Sequence, residues 1–297
     1  MGKLEKREAL AGYLFILPWV CGFLVFVLFS LVMAFYTSLT DWNLLSPARW
    51  VGFANYNAVL HDDLFWKSLR VTLIYVCTSV PLGIALGFSM ALLLNQKVRG
   101  LSFWRLVYYF PAVLSGVAVS LMWIWVFNPD FGIVNLALSL FGIPGPGWIA
   151  DTHWALPSIV VMSLWGAGGG MIIYLAGLQG IPTELYEAAQ IDGASVWKKF
   201  SFITVPMMTP VIFFNLIMGA ISGFQVFTEA YVITGGGPDN ATLMYGLYLY
   251  MNAFKYFKMG YASALAWILF LIILAITSLL FATSRRWVFY ADGGDRS

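Results

Sequence analysis

Three carboxylates and two ammonium groups, Glu184, Glu187, Asp192, Lys198 and Lys199, fall within ELYEAAQIDGASVWKK, the most charged stretch in the middle of an otherwise apolar chain. Such a set offers charge pairing at the rim of a contact surface. It offers no nucleophile beside a base and no carboxylate pair set up for acid–base work. His61 and His153 stand alone in polar connections without a second ligand at metal spacing, so they read as solvated or capping side chains. Cys21 and Cys77 lie inside apolar runs and read as small buried hydrophobes. They suggest neither a disulfide framework nor a metal site. The glycine-rich stretches GAGGGMII and TGGGPDNAT lack the Lys-Ser/Thr ending of a phosphate loop. The chain therefore has no phosphate loop of its own for ATP, and no catalytic, cofactor-binding or metal-ligating residue is assigned to it.

The elements that carry these residues are set by composition. Of 297 residues, 61% are hydrophobic and only 10% are charged. The mean hydropathy is +0.82. Soluble domains carry about 25% charged residues, so this composition is that of an integral membrane protein. No basic run with interleaved aromatics supports nucleic-acid binding. A bilayer-spanning helix needs about 20 predominantly apolar residues. Segments near 10–36, 70–94, 106–127, 155–178, 206–233 and 260–283 qualify, which predicts an all-α polytopic protein with six transmembrane helices. The first run follows MGKLEKRE, is far longer than the apolar core of a cleavable signal and lacks a small-residue cleavage site, so it reads as a retained span. A polar connection from Thr37 to Trp66 sets it apart. The expected organisation is an N-terminal addition over 1–67, a core unit over 68–284 and a short tail over 285–297.

Lys and Arg give the orientation. With the N-terminus in the cytoplasm, that side holds Lys3, Lys6, Arg7, Lys97, Arg99, Arg105, Lys198, Lys199, Arg285, Arg286 and Arg296, 11 in all. The other side holds 5, namely Arg49, Lys67, Arg70, Lys255 and Lys258. Both termini and the charged stretch are thus expected in the cytoplasm. The outer connections are rich in Pro, Gly, Asn and Trp, as turns and interfacial anchors require.

The charged stretch reads as helix, glycine, helix. Pro182 suits a first helical turn, and Glu184 and Glu187 favour the N-terminal half of the dipole. Leu185, Ala188 and Ala189 form a narrow small-residue face. Gly193 can close the helix in a left-handed conformation. A docking element fits this pattern. So does an amphipathic loop lying on lipid headgroups, for which Trp197, Lys198 and Lys199 would also serve.

A resemblance separates the two. EAAQIDGASVWKKFSFITVP resembles the EAA signature of binding-protein-dependent ABC importer permeases, with Glu187, Ala188, Ala189, Gly193, Ile203 and Pro206 at matching spacing and Val205 in place of the usual Leu. IPTELYEAAQIDGA and the outer TGGGP look like the carbohydrate-uptake branch, similar to maltose-type and glycerol-3-phosphate-type permeases. The resemblance implies a type I importer permease fold in a bacterial-type cytoplasmic membrane. It also implies that Glu187, Ala188, Ala189, Asp192 and Gly193 belong to a coupling helix seated in a cleft of an ATPase. The implied partners are a second permease subunit forming a heterodimer, two ATP-binding subunits, an extracytoplasmic solute-binding protein, a sugar substrate and the lipid bilayer.

Polar residues inside the spans mark where a solute would pass. Asn215, Gly219, Ser222, Gln225 and Glu229 occur at offsets 0, +4, +7, +10 and +14. On one continuous helix they lie within about 120° of one another. In the fourth span Ser163, Gly166, Gly170, Tyr174 and Gly177 form a similar stripe. Intramembrane Asn, Gln and Glu are costly against lipid and should face protein or water. The pairs Gly83/Gly87, Gly166/Gly170 and Gly219/Gly223 equally suit close helix packing. Neither span contains Lys or Arg, which favours an uncharged, hydroxyl-rich solute over an anion. The rival readings are a secondary transporter or channel working without an ATPase, and a membrane enzyme. The first would be expected to carry charged residues at the membrane midplane. The second lacks a catalytic constellation.

Overall fold

The computed structural model describes residues 2–96 and 99–289. Lys97 and Arg296 of the charge count lie outside the described residues. The described chain divides into two compact units.

One unit holds the residues up to Asp62 together with Leu249–Phe270. Its first span, α1 (Ala11–Ser38), carries apolar side chains such as Phe15, Trp19 and Phe26 on its open surface, as a lipid-facing helix should. Beyond it, Thr40–Asp41 and Arg49–Trp50 pair antiparallel, the only β structure among the described residues. A short helix, α2 (Ala54–Leu60), is tied back to the span end: Asn55 Nδ2 donates to Ser38 O at 2.8 Å and to Thr40 O at 2.9 Å. His61 is the residue that ends α2, its Nδ1 2.8 Å from Asn57 O. His153 is exposed in an outer turn of the other unit, where its N–H donates to Asp151 Oδ1 at 2.7 Å. That hydrogen bond holds the Asp151 carboxyl below the usual carboxylate range.

The other unit holds Asp63–Tyr248 and the chain from Leu271 onward. Its longest helix, α3 (Asp63–Leu94), runs 32 residues. It is followed by α4 (Leu101–Val113), α5 (Gly116–Val126), the outer α6 (Ile133–Ser139), α7 (Ala155–Trp165), α8 (Gly168–Gln179) and α9 (Thr183–Ile191). Then come α10 (Val196–Phe224), α11 (Tyr245–Tyr250) and α12 (Met259–Ser284), whose first part belongs to the other unit. The C-terminal end of α12 docks on α10 through Phe213, whose ring meets Phe281 at 5.3 Å and Trp287 at 5.7 Å.

Four helices, α1, α3, α10 and α12, are long and apolar enough to cross a membrane, and two bent pairs bring the number to six if each pair is one span. The bent pairs fall on the expected third and fourth spans. α4 and α5 meet at 99°. Pro111 lies in the last turn of α4, and Leu114 and Ser115 adopt extended backbone, so the helical hydrogen-bond ladder ends and restarts. α7 and α8 meet at 45° at the glycine-rich GAGGG, where Gly166 and Ala167 donate to carbonyls three residues back. The fifth span also begins and ends earlier than expected. α10 ends at Phe224, and the chain unwinds over 225–227 before a further helical turn. Gly246 of α11 abuts this unwound segment, and a Cβ there would lie 2.8 Å from Val226 O. Residues 245–250, read as part of an outer connection, are instead this helix, with Tyr245 and Leu247 fully buried.

Glycines set the spacing of α3, α8 and α10. A Cβ on Gly87 would lie 3.1 Å from Ala167 O, and one on Gly219 2.9 Å from Val80 Cγ1. The core between these helices is built on Ala91, Leu94, Met171, Leu175, Leu178 and Met208. Cys21 and Cys77 are exposed rather than buried, standing on the apolar outer surfaces of α1 and α3.

Candidate functional site

Two features stand out in the larger unit: a cavity among the spans and a capped helical loop.

The cavity has a volume of about 480 Å³. Ser163 and Gly166 of α7, Gly170 and Tyr174 of α8, Asn215, Gly219 and Ser222 of α10, and Glu229 beyond it all line the cavity. Gln225 does not line it: it is the residue at which α10 stops, and it is exposed. The regular 100° step that aligned it with Asn215 ends at Phe224. Glu229 lines the cavity from the helical turn that follows the unwound segment. There its carboxylate lies beside the first residue of α5, 3.9 Å from where a Gly116 Cβ would sit. Asn215 donates its amide N–H to Val211 O at 2.9 Å, and its Oδ1 faces Gly170 across the α8–α10 gap. Tyr174 is 1% exposed, and its hydroxyl has no hydrogen-bond partner among the described residues.

Sequence reasoning missed the contribution of α3. Tyr75 and Ser79 line the cavity. With Ser68 and Thr72 they recur at offsets 0, +4, +7 and +11, a stripe about 60° wide. All four are buried, and Thr72 Oγ1 accepts from the Tyr245 N–H at 2.8 Å. The same periodicity test applied to the second span would have found them. The lining thus combines hydroxyls, one carboxamide and one carboxylate with apolar walls, and it holds no Lys or Arg. Such groups donate to and accept from hydroxyls, and they do not neutralise an anion.

The loop begins at Ile181, buried in the core, and Pro182, which stands in extended conformation as the N-cap of α9. Pro182 therefore sits just before the first turn rather than in it. Glu184, Glu187, Ala188 and Asp192 are exposed, and Ala189 is half-buried. Gly193 has φ +72° and closes α9: its N–H donates to Gln190 O at 3.1 Å, and Ala194 N–H donates to Ala189 O at 2.8 Å. This pair of bonds is the Schellman arrangement, which positions the chain for a new start. Ser195 Oγ accepts from Lys198 N–H at 3.3 Å and opens α10. The tip presents Ile191, Val196 and Trp197 at 87%, 80% and 72% exposure. On the inner side Tyr186 packs on the helix core, and its hydroxyl hydrogen-bonds Thr204 Oγ1 at 2.9 Å. The loop is a rigid, capped element with an open outer face and a tied inner one.

Comparison with known proteins agrees with this geometry. The family described as "Binding-protein-dependent transport system inner membrane component" matches residues 83–289. The chain is 41% identical over 290 residues to the "Probable ABC transporter permease protein YesP" of Bacillus subtilis (strain 168), covering 96% of this chain and 94% of that protein. It is 36% identical over 288 residues to the "Trehalose/maltose transport system permease protein MalF" of Thermococcus litoralis, covering 95% and 96%. Its fold resembles a chain of a bacterial ABC transporter involved in the import of the acidic polysaccharide alginate, with a TM-score of 0.83, 24% identity and coverage of 95% and 96%. A helical chain with up to six hydrophobic passes, a polar cavity between them and the EAA signature on an exposed loop belongs to the family of inner-membrane permease components of binding-protein-dependent ABC transport systems.

Proposed function

We propose that the chain is one half of a heterodimeric permease that moves a sugar or oligosaccharide into the cytoplasm by alternating access. Two separate ATP-binding subunits drive it through the loop from Glu187 to Gly193. A solute-binding protein delivers substrate to the outer face. The chain sits in a bacterial-type cytoplasmic membrane with both termini inside, and residues 68–284 form its permease core.

The observation that carries this reading is the pairing of a cation-free, hydroxyl-lined cavity with a capped and exposed EAA loop in one compact unit. Ser163, Asn215, Ser222 and Glu229 supply the donors and acceptors that a sugar needs, with the Tyr174 ring as part of the wall. The names of relatives such as the trehalose/maltose system point the same way. Purification of the chain from its native membrane is the test. Recovery of a stable complex with an ATP-hydrolysing subunit is expected. Solute uptake by the chain alone, with no ATPase bound, would establish the secondary carrier instead. Binding of a sugar panel by the partnering solute-binding protein then identifies the substrate.

A further inference from the structure

We propose that Phe88 is a positioning residue of the transport cycle, one of four aromatic rings that connect the exposed face of the coupling loop to the wall of the cavity. The inference rests on the reading of that loop as the ATPase seat. Trp197 stands on the outer face of the loop. Its ring centroid lies 5.5 Å from Phe200. Phe200 stacks on Phe88 at 6.4 Å with 27° between planes. Phe88 meets Tyr174 edge to face at 5.7 Å. Tyr174 lines the cavity. The rings therefore pass from α10 to α3 to α8.

The last ring is held by shape alone. A Cβ on Gly87 would approach Tyr174 Cε2 to 3.3 Å, and one on Gly170 to 3.5 Å, so the ring fills a slot between two glycines. Its hydroxyl has no hydrogen-bond partner among the described residues to fix it. Packed interiors are nearly incompressible. Phe88 and Phe200 are half-buried and Trp197 is exposed, so the relay closes when a partner seats on the loop: with that end covered, a displacement is passed through Phe200 and Phe88 and shifts Tyr174 relative to Ser163 and Asn215. The Tyr186–Thr204 hydrogen bond ties α9 to the base of α10, the helix that carries the first two rings.

The test uses the complete importer in nanodiscs, in a chain with Cys21→Ser, Cys77→Ser and a cavity reporter, Ser163→Cys. The reaction rate of the reporter with methanethiosulfonate ethylsulfonate is measured with and without ATP plus vanadate. With Phe88 present, nucleotide is expected to change that rate about tenfold, within the usual range of coupling between sites. Phe88→Leu keeps apolar bulk and removes the ring. It should cut the change below about threefold while ATP hydrolysis stays within about twofold of the parent. Phe88→Tyr restores a ring and should restore the response. Phe200→Leu should reproduce the loss, and the double variant should lose no more than either single one. A full nucleotide response in Phe88→Leu overturns the proposal. So does a loss of ATP hydrolysis in step with the response, because both then report a damaged assembly. A reporter that ignores nucleotide even with Phe88 in place overturns the coupling reading beneath it, and the relay with it.

Discussion

Glu187 and Gly193 act at the same loop by different physics. The exposed Glu187 carboxylate suits a charge pair with a basic group on an ATPase, and truncating one member of such a desolvated pair costs about 2–5 kcal/mol. Gly193 contributes backbone geometry: a Cβ at φ +72° costs about 1–2 kcal/mol and loosens the turn that aims the loop. Glu187→Ala and Gly193→Val are both expected to leave the chain in the membrane while weakening ATPase association and collapsing transport. Pull-down of the ATPase with each variant checks this, and normal transport by both variants would refute the coupling role. In the cavity, Asn215→Ala removes a carboxamide that faces the lining, worth about 0.5–1.5 kcal/mol per sugar hydrogen bond. Uptake should fall several-fold with basal ATP hydrolysis intact. Gln225→Ala is the control, since Gln225 is exposed outside the lining. An equal loss in both variants would show that the cavity does not distinguish them.

At the level of elements, the contact between α3 and α10 is set by Gly219 against Val80. Gly219→Ala places a methyl 2.9 Å from Val80 Cγ1, and overpacking of this kind costs about 1–3 kcal/mol. The midpoint of thermal unfolding in detergent should drop, and Val80→Ala in the same chain should recover most of it. No recovery would mean that the glycine serves the cavity and not the contact. Helix number was legible because apolar runs long enough to cross a bilayer announce themselves in composition. The helix–glycine–helix loop was legible because Glu184 and Gly193 carry local backbone chemistry, while the Ser195 cap emerged only from the structure. The breaks were less so. Leu114 and Ser115 leave the helix beside a proline that helices in membranes often tolerate, and Val226 is held open by Gly246, a neighbour 20 residues away in sequence. The polar stripe on α3 was present in the sequence but lay in a span with no Asn, Gln or Glu to draw attention to it.

For the whole molecule, the 11-to-5 distribution of Lys and Arg across the two sides supports the proposed orientation with both termini inside. Cysteines placed at Ser195 and Arg285, both exposed, should react with impermeant reagents only from the cytoplasm, and one at Asn240 only from outside. Reaction of position 195 from outside in intact cells would invert the topology and remove the coupling role with it. The right-angled break between α4 and α5 bears on the life of the chain in the cell. Two helix ends meet there, halfway along an apolar stretch, and helix ends leave amides and carbonyls that hydrocarbon cannot satisfy. Phe110 and Val113 stand open beside the break. If the proposed second permease covers this break, a chain made alone exposes it to the proteases of the membrane. Pulse–chase labelling should show a short half-life when the chain is made alone and a several-fold longer one when the second permease is made with it, so that the cell keeps the two in step by turnover.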